Sequence, residues 1–191
     1  DGVAVYRLVP EGHWSGRKKR PCGANIEIKK LSLGDGGEIY EMLQNIPANE
    51  NGFINSVNGK SYEEFKVWLV KAMANSLQEG VIDGWKVPET TYWLYADGRP
   101  VGYGKIRHYL TDRLLADGGN VGYAIIPSER NKGFGKIFLK LLLQESVSLN
   151  VDKILLTIRE ENKASFAVAV ANGGIVEKIQ AGKYYVWINR K

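Results

Sequence analysis

A chain of 191 residues, 44% hydrophobic and 25% charged, has room for one domain with a sizeable core. No apolar run approaches the roughly 20 residues that cross a bilayer, residues 1–24 lack the apolar stretch of a signal peptide, and the single cysteine, Cys22, excludes an intramolecular disulfide framework. The net charge is +5, but Arg7, Arg17, Lys18, Lys19 and Arg20 set against Asp1 and Glu11 put +3 of it in residues 1–24. The near-neutral remainder argues against a nucleic-acid binder.

These features predict a protein of the cytoplasm, bound neither to a membrane nor to nucleic acid. Residues 1–24 read as an N-terminal extension or added leader, with Arg17 to Arg20 as a solvated loop, and residues 25–191 read as the domain.

Asn25 to Leu33 alternates apolar and polar residues (Ile26, Ile28, Leu31), the pattern of a strand. Asp35 stands where it would cap a helix running to about Asn45. The polar stretch Pro47 to Lys60 reads as a loop. Ser61-Tyr62-Glu63-Glu64 has capping-box spacing, and the helix it opens, to about Leu77, would bury Phe65, Trp68, Leu69, Ala72 and Met73. Asp83, Trp85 and Trp93 suggest the wall of a cleft. Thr91 to Ala96 and Val101 to Tyr109 form a predicted hairpin around Asp97-Gly98-Arg99-Pro100, with Pro100 implying a loop longer than two residues.

Val121 to Ile126 is a strand and Phe134 to Leu149 a helix, with Ile137, Phe138, Leu141, Leu142 and Val147 facing inward. The continuous apolar run Ile154 to Ile158 predicts a strand covered on both faces, so this β-helix-β unit implies a right-handed parallel crossover. Asn162 caps a helix, Lys163 to Ala171, closed by Gly173-Gly174. Strands Ile175 to Ile179 and Tyr184 to Ile188 then turn about Ala181-Gly182. The expected fold is a single α/β (α+β) domain: a mixed central sheet of about six to seven strands flanked by helices, around a parallel β-α-β core.

The segment Ile125-Ile126-Pro127-Ser128-Glu129-Arg130-Asn131-Lys132-Gly133-Phe134-Gly135-Lys136 carries the chemistry. A strand ends at proline, a basic glycine turn follows, and a helix begins at once, so main-chain amides and the helix dipole face an anion. A P-loop is excluded because Arg130 holds the place of its first glycine and Ile137 follows Lys136. A dinucleotide fingerprint is excluded because Phe138 stands where the third glycine belongs. The alternative is a glycine hairpin with solvated lysines.

The remaining R-x-x-G-x-G pattern, with Asn162-x-x-Ser165 and then Asn172-Gly173-Gly174 downstream, resembles the cofactor segments of the GCN5-related N-acetyltransferase (GNAT) superfamily, over about Asn25 to Asn189. Arg107-His108, Gly118-Gly119 and Asn172-Gly173-Gly174 further resemble a bacterial predicted-acetyltransferase subgroup.

The resemblance implies acetyl-CoA, or another short acyl-CoA, as co-substrate with no metal. Main-chain groups of Ala124, Ile125 and Ile126 would hold the pantetheine arm, with an amide near Ile125 steadying the oxyanion. Arg130, Asn131, Lys132, Gly133, Phe134, Gly135 and Lys136 would form the pyrophosphate cradle, and Asn162 and Ser165 would lie on the opposite helix. A small-molecule or peptide amine is the implied acceptor, and a homodimer is common among such families.

The tyrosine and glutamate that many relatives use are replaced by Ala169 and Thr157. His108, which titrates near pH ~6.5, is a candidate base, and a structural strand histidine is the alternative. Glu50 is a candidate for binding the acceptor ammonium or relaying its proton, set against a solvated loop carboxylate. Tyr123, Tyr184 and Tyr185 are candidates for the missing tyrosine, set against half-buried strand aromatics. The expected activity is N-acylation of a primary amine by direct transfer in a ternary complex; a non-catalytic acyl-CoA sensor is the rival.

Overall fold

The computed structural model describes residues 4–6, 24–81 and 86–189. The Arg17 to Arg20 cluster, Cys22, Asp83 and Trp85 lie outside the described residues. Strand β1 (Ala4–Tyr6) pairs antiparallel with β2 (Ile26–Lys30), so three residues of the expected extension belong to the sheet.

Helix α1 (Gly37–Asn45) buries Ile39, Met42 and Leu43, but it starts at Gly36 with no side-chain cap. Asp35 is engaged elsewhere: its Oδ2 accepts from the Ser32 amide at 2.9 Å and from Trp93 Nε1 at 2.7 Å. Trp93 is accordingly fully buried core and not cleft wall. Two short strands, β3 (Asn49–Glu50) and β4 (Phe53–Ile54), form a hairpin inside the stretch read as loop.

Helix α2 (Tyr62–Ser76) opens with the expected reciprocal capping box between Ser61 and Glu64 and buries Phe65 and Leu69. Strands β5 (Glu89–Ala96) and β6 (Arg99–Arg107) are joined by only two residues, Asp97 and Gly98, both at positive φ. The expected longer loop is absent because Ala96 pairs directly with Arg99 and the register shifts between Leu94 and Tyr95, where Pro100, lacking an N–H, is accommodated.

A short helix α3 (Asp112–Ala116), capped by Thr111, precedes β7 (Val121–Ile125). Helix α4 (Phe134–Glu145) buries Phe134, Phe138, Leu139, Leu141 and Leu142, then tightens into a 3-10 turn over Ser146–Leu149. That tightening rotates Val147 outward, where it is 45% exposed and not inward as the helical period predicts. Strand β8 (Lys153–Arg159), helix α5 (Lys163–Ala171), β9 (Ile175–Gln180) and β10 (Lys183–Asn189) complete the chain.

The strands order as β1-β2-β5-β6-β7 in one sheet and β8-β10-β9 in another. The fold is the expected mixed α/β type, but its strands divide among three sheets, the third being the β3–β4 hairpin. Every strand pair among the described residues is antiparallel where the sequence predicts a parallel β-α-β pairing, because β7 and β8 part and do not form a ladder. One core cluster joins Ile26, Leu94, Phe138, Leu142, Leu156 and Val186 beneath α4. A second lies on the face covered by α1 and α2, around Leu43, Phe65, Leu69, Trp93 and Tyr103.

Just before β7 the chain is clamped to β8. The Asn120 amide donates to the Leu155 carbonyl at 2.8 Å, and the Leu155 amide donates back to Asn120 Oδ1 at 2.9 Å. Gly119, at φ +60, lets the chain pass so close that a Cβ there would collide with the Leu155 carbonyl. Beyond this clamp the strands part, because β7 is the last strand of its sheet.

Candidate active site

The parting strands enclose a cleft of about 690 Å³. In the β6–β7 ladder the Ile126 amide donates to the Val101 carbonyl at 3.0 Å and the Arg107 amide to the Asn120 carbonyl at 2.7 Å. Antiparallel alternation therefore turns the main-chain groups of even-numbered β7 residues toward β6 and those of Val121, Tyr123 and Ile125 into the gap. Of the three main-chain positions expected to face a ligand, only Ile125 does so. Ala124 and Ile126 are spent on the sheet, although Ala124 still lines the cleft.

At the far end of β7 stands the turn into α4. Gly133 is its N-cap at φ +91, with open space where a Cβ would be, and no side chain caps the helix. The first intrahelical bond runs from the Ile137 amide to the Gly133 carbonyl, so the Phe134, Gly135 and Lys136 amides ahead of it point out of the helix. Asn131, Gly133, Gly135 and Lys136 line the cleft. The Phe134 side chain is core, and Lys132 lies outside the lining, paired with Glu129 at 2.9 Å.

Arg130 also lines the cleft, but its guanidinium is already engaged. Its Nε donates to the Ile125 carbonyl at 3.0 Å, and its two terminal nitrogens hold both oxygens of Glu50 at 2.9 and 2.6 Å. Glu50 lines the cleft, but as half of this bidentate pair it anchors the β3–β4 hairpin to the end of β7.

Across the cleft, Asn162 caps α5 through its Oδ1, which accepts from the Ser165 amide at 3.1 Å; both residues line the cleft. The Tyr123 hydroxyl lies 3.4 Å from Ser165 Oγ, and burial pushes its pKa up to about 12, an effect that the Ser165 contact partly offsets. Tyr123 therefore holds its proton at neutral pH. Ala169 is fully buried and does not line the cleft, and Thr157 Oγ1 accepts from the Gly118 amide at 2.9 Å.

Tyr185 donates to the Ala116 carbonyl at 2.7 Å and Tyr184 packs at a tilt against Phe166, ring centroids 4.3 Å apart; neither lines the cleft. His108 is not brought to it either. Its Nε2 lies 2.8 Å from Thr90 Oγ1 and its amide donates to the Pro88 carbonyl. Burial, helped by Lys30 and opposed by Glu89, lowers its pKa.

Sequence reasoning missed a set of cleft residues that come from separate elements. Phe53 packs edge-on against Tyr103 at 5.0 Å and covers Gly122. Lys105 follows Tyr103 on the same face of β6, a period-2 placement readable in principle, and donates to the Ile54 carbonyl at 3.1 Å. Burial opposes its charge, but Tyr103 and Glu89 lift its pKa above the ordinary lysine value. Arg107 donates to the Gly118 and Gly119 carbonyls, both at 3.0 Å.

No group of three or more His, Cys, Asp and Glu residues among the described residues is placed to hold a metal, and no helix among them is long and apolar enough to cross a membrane.

Residues 25–175 match the family described as the acetyltransferase (GNAT) domain. No curated protein matches the chain. Among solved structures, it is similar to yncA of Salmonella typhimurium, solved with its cofactor acetyl-CoA, at 14% identity and a TM-score of 0.58 over 86% of this chain and 93% of that one. It is also similar to the Campylobacter jejuni N-acetyltransferase PseH in complex with acetyl coenzyme A, at 14% identity and TM-score 0.56 over 87% and 99% of the two chains. A third is the Salmonella typhimurium acetyl transferase that modifies the N-terminal serine of ribosomal protein L7/L12, at 14% identity and TM-score 0.56 over 87% and 95%.

Proposed function

Because this chain belongs to the GNAT acetyltransferase family, we propose that it transfers the acetyl group of acetyl-CoA to a primary amine by direct attack in a ternary complex. One observation carries the reading: an uncapped, glycine-opened helix N-terminus lies at the end of a strand whose outer main-chain groups face a cleft. The exposed amides of Phe134, Gly135 and Lys136, with the Lys136 ammonium, suit a pyrophosphate. The gap-side groups of Tyr123 suit the amide-bearing pantetheine arm, the Ile125 carbonyl being held by Arg130, and Asn162 keeps its side-chain N–H₂ for the cofactor.

In the reaction the neutral amine's lone pair attacks the thioester carbon. The C–N bond forms, the C–S bond breaks, the electron pair leaves on sulfur, and the ammonium proton passes to water. The Ile125 amide steadies the oxyanion. A thiol of pKa ~8.5 leaves without full protonation, and Tyr123, which keeps its own proton, donates a hydrogen bond to it. Neither Glu50, held by Arg130, nor His108, outside the cleft, is assigned the base. Proximity supplies most of the acceleration.

Calorimetry with acetyl-CoA tests the reading. Binding that is lost in Gly133→Asp, where a carboxylate faces the phosphates, supports it; no binding by the wild-type protein refutes it. A non-catalytic acyl-CoA sensor is the second reading, favoured by the engagement of Glu50 with Arg130 and by the burial of Ala169. Steady thiol release with any amine rules it out.

A further inference from the structure

Cations line the cleft from four elements: Lys105 and Arg107 from β6, Arg113 from α3, Arg159 from β8 and Lys183 from β10. Among the described residues Asp117 pairs with Lys183, Glu89 lies beside Lys105 and Arg107, and Glu161 lies beside Arg159.

One pair in this group works against the fold. Arg159 and Lys183 stand directly opposite each other in the β8–β10 ladder, where like charges destabilise a strand pair. Lys183 is held by Asp117 at 2.7 Å, and Glu161 approaches Arg159 only to 3.9 Å. The Lys105, Arg107 and Lys183 side chains are 16%, 24% and 23% exposed, so their charges are screened by water less than surface charges are. In the acetyl-CoA reading the α4 amides and Lys136 serve the phosphates, so these cations are not needed for them.

We propose that the acceptor is an acidic amine: a molecule whose reacting amine is accompanied by a carboxylate or phosphate, which this basic wall binds and orients. The proposal rests on the acetyl-transfer reading and narrows it, because polycationic acceptors such as polyamines are repelled by the same wall. Lys105 keeps its charge at neutral pH, and Arg159, whose Glu161 partner stands 3.9 Å away, offers a planar fork that matches carboxylate and phosphate oxygens. No bond to the anionic group is made or broken; it serves only to hold the amine at the thioester.

The test uses the full chain. Calorimetry first establishes acetyl-CoA binding. CoA-saturated protein is then titrated with matched amines: glutamate against glutamine, phosphoethanolamine against ethanolamine, and spermidine as the polycation. Turnover of the same panel is followed by thiol release from acetyl-CoA.

Supporting results are at least about tenfold tighter binding or lower KM for the acidic member of a pair, lost as salt rises, and a loss of about tenfold per cation removed in Arg159→Gln and Lys183→Gln, with acetyl-CoA affinity within twofold of wild type. The carboxylate and phosphate arms identify which anion is preferred. Equal or better use of the neutral or polycationic member, or no binding of any acidic amine, overturns the inference while leaving the acetyl-CoA reading intact. Failure of acetyl-CoA itself to bind overturns both.

Discussion

Replacing Asn120 with alanine removes the side-chain half of the clamp that joins the two sheets. Asn120 is 2% exposed and Leu155 is 1% exposed, so water cannot take over the bond that Asn120 Oδ1 makes to the Leu155 amide at 2.9 Å. An orphaned buried amide costs roughly 1–3 kcal/mol. The longer contact from Asn120 Nδ2 to the Arg107 carbonyl, at 3.4 Å, adds little, and the main-chain bond to the Leu155 carbonyl survives. A loss of about 2 kcal/mol is therefore expected. For a chain of this length each kcal/mol moves Tm by roughly 2–4 °C, which gives a fall of about 4–8 °C. Scanning calorimetry on wild type and variant reads this directly. A shift under 1 °C would mean that the Asn120 side chain does not hold the Leu155 amide, and its half of the clamp would fall.

Tyr123→Phe removes the only O–H assigned to the departing sulfur, and steady-state kinetics should show kcat down by about tenfold with acetyl-CoA affinity unchanged; an unaltered kcat removes Tyr123 from the mechanism. His108→Gln should leave kcat/KM within about twofold, whereas a general base would cost roughly a hundredfold or more. Because the folded pKa of His108 lies below its unfolded value of ~6.5, its neutral form contributes stability that is complete above that pH and is lost as pH falls through the folded pKa. Urea titrations at pH 7.5 and 5 should therefore show a smaller acid loss in the variant than in wild type. Gly135→Ala places a methyl 3.5 Å from Val168 and 3.7 Å from Tyr123, ordinary contacts, and should be neutral or stabilising by up to ~1 kcal/mol in thermal unfolding. A marked loss would mean that the helix start is packed more tightly than described.

What the sequence disclosed follows from the range of the forces involved. The capping box at Ser61 and Glu64 lies within one helical turn, and the apolar run of β8 states its own double coverage, so both are legible locally. The cradle is legible for the same reason, since one turn and one helix start contain it. The β3–β4 hairpin and α3 are too short to show a period, and they are held by distant contacts, Phe53 packing partly buried against the second core cluster and Leu114 buried. Glu50 and Arg130 are 80 residues apart, and nothing near either announces the other. The basic wall is least legible of all: its residues come from four elements, and in the sequence each alone reads as an ordinary surface charge.

The parting of the strands leaves β7 with an open edge, and an open edge is normally a hazard because another chain can pair with it. Proteins usually guard such edges with lysine, proline or a bulge. Here β8, clamped at Asn120, stands across the gap and bars an incoming strand from lying down along it. The edge is protected by architecture, and the strand Val-Gly-Tyr-Ala-Ile can remain uncharged and smooth along its whole length. A narrow arm can enter where a second polypeptide strand cannot.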